Sequence, residues 1–234
     1  MTEQNRLDEL RAGLERTRAD IQRFSEAAGR EAPQLLPVTK FHPAGDIALL
    51  AQLGITDVAE NREQEARAKA EELPDVHFHM IGQIQTKKAN HVARWAHSVH
   101  SLDSEKLARA LDRGVGLAQE RGQRKGTLPV FIQVSADADT ARGGCPLDQV
   151  SGLVTIVEEL ENLALQGFMV VPPLDSEPAE VFTRVKGLVE DTSEQLGRPL
   201  KLSAGMSADM QAAIESGTDI VRVGTGIMGP RPVV

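Results

Sequence analysis

Residues 200–225 read LKLSAGMSADMQAAIESGTDIVRVGT. Positions 200–203 form a short apolar run, 207–216 carry helical spacing, and 220–224 form a second apolar run. Two strands joined through a helix form a βα crossover, which makes the strands parallel. The same alternation extends upstream. Apolar runs at 35–40, 55–60, 77–81, 98–102, 129–134 and 165–171 alternate with helical segments at 43–53, 62–73, 86–95, 104–119, 146–162 and 178–196. With the last two, these runs make eight, the number that closes the common α/β barrel. The pattern therefore predicts a (β/α)8 TIM-type barrel over 34–229, with a doubly wound open sheet as the alternative. Leu7, Leu10, Leu14, Ile21 and Phe24 recur at helical spacing in a charged segment, so an extra N-terminal helix is expected over 1–30. No Ser/Gly/Pro-rich linker interrupts the chain, and residues 1–234 are expected to form one domain.

Composition narrows the functional classes. The chain has 234 residues and a formal net charge of -8, and neither nucleic acid nor an anionic membrane is an expected partner, because both need a basic face. Cys145 is the sole cysteine and has no partner for a disulfide or a zinc knuckle. Residues 1–31 show no apolar signal segment, and no run approaches the ~18 apolar residues of a membrane span. A cytoplasmic protein is expected.

In a parallel barrel the reactive groups stand at the C-terminal ends of the strands. Lys40 closes the first apolar run there, where burial would lower its pKa and free the amine as a nucleophile for a carbonyl carbon. A plain solvated lysine just past a strand is the competing reading. Ser207 opens a predicted helix, and Gly224-Thr225-Gly226 follows the eighth run. A serine hydroxyl, unpaired amides and closely approaching backbone suit a phosphate. The loops after the last two strands are the usual phosphate site of such barrels. Ser207 can also be read as an ordinary helix cap.

Residues 224–229 also match G-x-G-x-x-G. A dinucleotide fold is rejected because the sequence to Val234 leaves no room for the following helix and strand. His77 and His79 share one face of a run, as metal ligands would, but no carboxylate or thiol cluster is seen to join them, and no metal is expected. Asp137 and Asp139 read as solvated loop acids. Glu63, Glu65, Lys69, Glu71 and Glu72 read as the wet face of a helix. Lys87 and Lys88 either support a phosphate or cover a helix start.

Several motifs occur together in order. They are Val38-Thr39-Lys40, residues 60–65 (ENREQE), Phe78-His79-Met80-Ile81-Gly82 with Ile84-Gln85, Gly167-Phe168-Met169 with Pro172, residues 203–210 (SAGMSADM), and Val221-Arg222-Val223-Gly224-Thr225. Together they resemble the pyridoxal-phosphate homeostasis protein family, single-barrel relatives of the alanine racemase N-terminal domain. The resemblance runs from about residue 35 to Gly229. It implies pyridoxal 5′-phosphate (PLP) as cofactor, held as a Schiff base on Lys40. It also implies that Ser207 and the backbone of Gly224 and Thr225 hold the phosphate. Arg222 would face the pyridine nitrogen, while Asn61, His79 and Met206 would line the ring pocket. The chain departs from the family pattern at Thr39, Ala59, Thr86-Lys87-Lys88, Arg142 and Ala204. None of these removes the lysine or the phosphate contacts.

The resemblance bears on catalysis as well. Enzymes that use PLP fully as an electron sink set a carboxylate against its ring nitrogen. An arginine at that place keeps its own charge and cannot protonate the ring. Racemisation on the related two-domain fold also needs a tyrosine from an added domain, and this sequence contains no tyrosine. A PLP carrier without a catalytic residue is therefore expected, with PLP-dependent apoenzymes as possible recipients and a monomer as its form. The alternatives are a low-activity PLP-dependent racemase or lyase, and a PLP-free barrel using Lys40 in aldolase-type chemistry.

Overall fold

The computed structural model describes residues 2–137 and 143–231. Short apolar runs become strands because their branched side chains fill a pleated surface buried on both faces. The strands are β1 (Gln34–Pro37), β2 (Asp57–Glu60), β3 (His77–Met80), β4 (Ser98–Leu102), β5 (Leu128–Ser135), β6 (Cys145–Pro146), β7 (Leu163–Val170), β8 (Lys201–Ser203) and β9 (Ile220–Val223). All pair in parallel in the order β1-β9-β8-β7-β5-β4-β3-β2, with β6 alongside β5. A parallel bridge between Val38 and Ala59 joins β1 to β2 and brings the sheet round into the expected barrel.

The helices are α1 (Glu3–Ala28), α2 (Ala44–Gln52), α3 (Glu63–Glu72), α4 (Ala89–Trp95), α5 (Glu105–Glu120), α6 (Val150–Glu159), α7 (Pro178–Leu196), α8 (Met210–Glu215) and α9 (Thr225–Met228). Two large apolar layers lie between helices and strands, built around residues such as Leu111, Val130, Phe168 and Phe182 on one side and Leu50, Phe78, Ile214 and Val221 on the other. A smaller cluster of Leu36, Val38, Ala59, Phe131, Met169 and Ile220 includes side chains from β1, β2, β5, β7 and β9.

Several expectations need correction. The first strand ends at Pro37, so Thr39 and Lys40 lie in the turn beyond it rather than on it. The two-residue β6 was not anticipated. The helix expected to open at Ser207 starts at Met210, because the Asp209 carboxylate accepts the Met206 N–H at 2.6 Å and holds 206–209 as a turn. The strand after α8 does lead into a helix, the single turn α9.

That turn explains the role of α1. A barrel needs a helix over each part of its outer face, and α9 is too short to cover one. Helix α1 packs there against α8, α9 and α2, burying Leu10, Leu14 and Ile21 with Met210, Ile214, Ile227 and Met228. The approach to α9 is close: a Cβ on Gly13 would stand 2.6 Å from the Ile227 carbonyl oxygen. Arg6 Nη2 ties the elements together, donating to Asp46 Oδ2 at 2.6 Å and to the Met228 carbonyl at 2.9 Å.

Candidate functional site

The turn after β1 is built around buried charge. Lys69, on α3, donates from Nζ to the Thr39 carbonyl at 3.1 Å, to Glu60 Oε1 at 2.7 Å and to Glu65 Oε1 at 2.7 Å. Thr39 Oγ1 donates to Glu60 Oε1 at 2.6 Å, and the Phe41 N–H donates to Glu65 Oε1 at 2.7 Å. The backbone is thus gripped on both sides of Lys40. The grip holds Phe41 at φ 71°, a left-handed conformation that side chains other than glycine's adopt at a cost. Glu60 and Lys69 are buried, and burial raises the Glu60 pKa against the pull of Lys69. The wet-face expectation for α3 is therefore corrected for Glu63 and Lys69, both buried, while Glu71 and Glu72 are exposed as expected.

Lys40 itself is partly buried at the barrel mouth. Its amine pKa is lowered, chiefly by burial and further by the nearby Arg231 charge. Arg62 and Arg231 lie 4.9 Å and 4.4 Å from the Phe41 ring centre, with Lys40 Nζ at 5.9 Å. The mouth thus gathers positive charge although the whole chain is acidic. Beside it, Asn61 follows β2 and lies against the end of β3, where a Cβ on Gly82 would come within 2.0 Å of the Asn61 carbonyl oxygen. Asn61, Ile81, Gly82, Met169 and Val171 help to line a cavity of about 350 Å³ there.

The turns after β8 and β9 meet. Met206, Ser207 and Thr225 are exposed and Gly224 half-exposed. A Cβ on Gly226 would stand 3.5 Å from Ser207 Oγ and 3.6 Å from Thr17 Oγ1. Small residues and hydroxyls therefore surround bare backbone, a cradle that suits a phosphate. Thr17 comes from α1 and was not anticipated.

Arg222 is buried within the barrel on β9. It donates from Nη1 to Ser203 Oγ at 2.8 Å and from Nη2 to the Val170 carbonyl at 3.0 Å. Burial pushes its pKa down to about 10, which leaves it charged at neutral pH. Ser203 Oγ lies 3.0 Å from His100 Nδ1, and His100 stacks on Phe131 at 4.3 Å. Burial, then the neighbouring His79 and Arg222, holds the His100 pKa well below its ordinary value, so the imidazole is neutral.

His79 is placed differently from the other expected residues. Its Nδ1 lies 2.7 Å from Ser98 Oγ and its Nε2 2.8 Å from Asp57 Oδ1. Asp57 and Ser98 are the first residues of β2 and β4, so both ring nitrogens engage the N-terminal side of the barrel. The absence of a carboxylate beside His77 and His79 was also a wrong premise, because Asp57 joins them. Cys145 is buried on β6, and burial with Asp103 and Asp148 nearby pushes its pKa up to about 11. Of the remaining residues singled out from the sequence, Asp139 and Arg142 lie outside the described residues. Lys88 pairs with Glu63 at 3.3 Å, which favours the reading that it covers its helix start.

Residues 13–232 match the family model described as alanine racemase, N-terminal domain. A pyridoxal phosphate homeostasis protein of Corynebacterium glutamicum is 56% identical over 201 residues, 86% of this chain and 91% of that one. One of Mycobacterium tuberculosis is 42% identical, with 97% of this chain and 95% of that one covered. Among solved structures, PipY of Synechococcus elongatus with PLP bound superposes with a TM-score of 0.75 at 32% identity, covering 84% of this chain and 92% of that one.

Proposed function

The chain belongs to the pyridoxal phosphate homeostasis protein family, and we propose that it holds PLP on Lys40 as a carrier of the cofactor. The observation that carries the proposal is Lys40 itself: a partly buried amine with a lowered pKa, in a turn clamped from both sides, at a positively charged mouth. PLP supplies an aldehyde that a lysine amine captures reversibly as a Schiff base, together with a phosphate and an aromatic ring. The residues present fit all three parts. Lys40 offers the amine. Ser207, Gly224 and Thr225, with Gly226 and Thr17 beside them, form the phosphate cradle. Asn61 and Met206 stand on the rim, and Arg222 presents a fixed cation from below.

A carrier is favoured over an enzyme by what surrounds the mouth. Racemisation needs a proton donor and acceptor poised near neutral pH on each face of the ring. Cys145 is pushed away from that range, and His100 is buried, neutral and bonded to Ser203. His79 is engaged by Asp57 and Ser98, and the sequence has no tyrosine. The common fold with alanine racemase concerns the scaffold and assigns no activity. PLP-dependent apoenzymes as recipients, a monomeric state, one PLP-binding domain and a cytoplasmic location complete the proposal. No helix among the described residues is long and apolar enough to cross a membrane.

The test is solvent-deuterium exchange into Cα of L- or D-alanine, followed by NMR on PLP-loaded protein. The carrier account expects no exchange at enzyme rates, above about 1 s⁻¹. Sustained exchange by the wild type, lost in Lys40→Ala, makes the chain a racemase-type enzyme instead.

A further inference from the structure

The end of the barrel opposite Lys40 gathers a second set of reactive groups. Asp57 opens β2, His77 opens β3, and His97 immediately precedes β4. Asp57 and His77 are direct partners in the parallel register, and His79 pairs with Ser98, so the three strand starts lie side by side. His79 Nε2 stands 2.8 Å from Asp57 Oδ1, and His77 Nδ1 stands 3.4 Å from the same oxygen. The His77 and His97 rings stack at 4.1 Å, and His79 lies 5.1 Å from His97. One ligand atom each of Asp57, His79 and His97 falls within 4.8 Å of the others.

We propose that Asp57, His79 and His97, with His77 as a fourth donor at the rim, form a binding site for a divalent cation of the zinc type. An ordinary carboxylate–imidazole hydrogen bond requires only Asp57 and His79. It leaves unexplained why His77 approaches the same oxygen at 3.4 Å and why the His97 ring gathers against His77 and His79 at a neighbouring strand start. A shared cation explains the convergence, because each imidazole can turn a lone pair toward it.

The donor chemistry selects the ion. Imidazole nitrogens with one carboxylate suit zinc and its transition-metal neighbours, whereas magnesium and calcium prefer oxygen ligands. Bonds of about 2.0–2.2 Å place tetrahedral donor atoms about 3.4 Å apart. His79 Nε2 and Asp57 Oδ1, at 2.8 Å, stand closer than this and must part by about 0.6 Å to admit the ion. His77 Nδ1 is already 3.4 Å from that oxygen, and the exposed His97 ring, whose ligand atom lies within 4.8 Å of those of Asp57 and His79, closes in by rotation. The surrounding shell is also in place. Ser98 Oγ, 2.7 Å from His79 Nδ1, fixes the ring and leaves Nε2 to face the cation. Thr56 Oγ1 donates to Asp57 Oδ2 at 2.7 Å and leaves Oδ1 for the same purpose. Four protein donors make a closed, structural type of site. Its place at the N-terminal ends of β2, β3 and β4 is the end of such barrels that serves stability. The site stands independently of PLP binding at the other end.

The test uses tag-free full-length protein, treated with borohydride after PLP loading so that PLP does not compete for metal. Zn²⁺ is titrated by calorimetry and Co²⁺ by visible absorption, with Mg²⁺ as a control. One equivalent of Zn²⁺ is expected to bind, with tetrahedral Co²⁺ bands, a rise in the thermal midpoint and no Mg²⁺ uptake. His97→Ala and His77→Ala alter exposed side chains and leave the fold intact, so they report on the site alone. His97→Ala is expected to weaken Zn²⁺ by more than about tenfold and to abolish the thermal shift. Ser98→Ala is expected to weaken it by about tenfold or more through the lost orienting bond. The proposal is overturned if no saturable one-to-one Zn²⁺ uptake occurs. Uptake undiminished by both His97→Ala and His77→Ala overturns it equally, as does uptake that disappears only with Cys145→Ser.

Discussion

Replacing Lys69 by Met should damage both the stability of the barrel and its grip on PLP, by separable routes. The ammonium of Lys69 stands 2.7 Å from Glu60, a side chain with no solvent exposure, and no other cation among the described residues pairs with that carboxylate. Breaking a buried pair by removing one partner typically costs about 3–5 kcal/mol, because the remaining charge is left uncompensated. A domain has about 5–15 kcal/mol in hand, so Lys69→Met should fold with a clearly lowered urea midpoint. The pH dependence has a definite sign. Burial already raises the Glu60 pKa, and loss of Lys69 removes the first opposing influence and raises it further. A carboxyl whose folded pKa lies above its unfolded value loses stability as pH rises between the two. The gap between wild type and variant should therefore widen from acid toward neutral pH. Glu60→Gln in the same chain should recover most of the stability by removing the stranded charge. It should not recover the PLP affinity, since the Thr39 carbonyl still lacks its donor. A hydrogen bond from a charged group contributes about 1.5–3 kcal/mol; because this one holds the turn and does not touch PLP, that value is the ceiling, and PLP dissociation should rise by up to roughly a hundredfold. Absorbance titration with PLP and urea unfolding read the two effects. Stability within about 0.5 kcal/mol of wild type, with unchanged PLP affinity, would refute the role given to Lys69.

Other outcomes follow from the same geometry. Ser207→Ala should cost about 1–3 kcal/mol of PLP affinity and leave pyridoxal without phosphate unaffected; an equal loss for both ligands would remove Ser207 from the phosphate site. Because burial and Arg231 lower the Lys40 pKa, PLP capture should reach half its maximal rate at a pH below that of a free lysine, about 10.4, and Arg231→Ala should shift the profile back upward, as stopped-flow absorbance would show. Cys145, buried with its pKa raised to about 11, should resist thiol reagents in the native protein and react once urea unfolds it.

The barrel was legible because its signals are local. Each strand is a short apolar run, and each of the main crossovers carries its own helical period, as in 104–119 and 178–196. The turn residues of the mouth were legible for the same reason, since Lys40, Asn61, Ser207 and Gly224 each follow a strand. What escaped were pairings across the fold. Lys69 looks solvated in its own helix, and only Glu60, nine positions earlier on β2, makes its burial tolerable. His100 and Arg222 lie far apart in sequence and meet through Ser203 inside the barrel. Thr17 reaches the cradle only because α1 covers the face that the short α9 leaves open. The Asp57, His77 and His97 cluster was readable in principle, because each stands at a strand start and adjacent starts are neighbours. Counting by strand rather than by residue spacing would have joined them.

Borohydride reduction of the PLP-loaded protein, followed by peptide mass mapping, decides whether Lys40 holds the cofactor. The account predicts a yellow protein, a single reduced PLP adduct on Lys40, and loss of that adduct in Lys40→Ala. An adduct mapped to a different lysine, or no stoichiometric adduct at all, would contradict it.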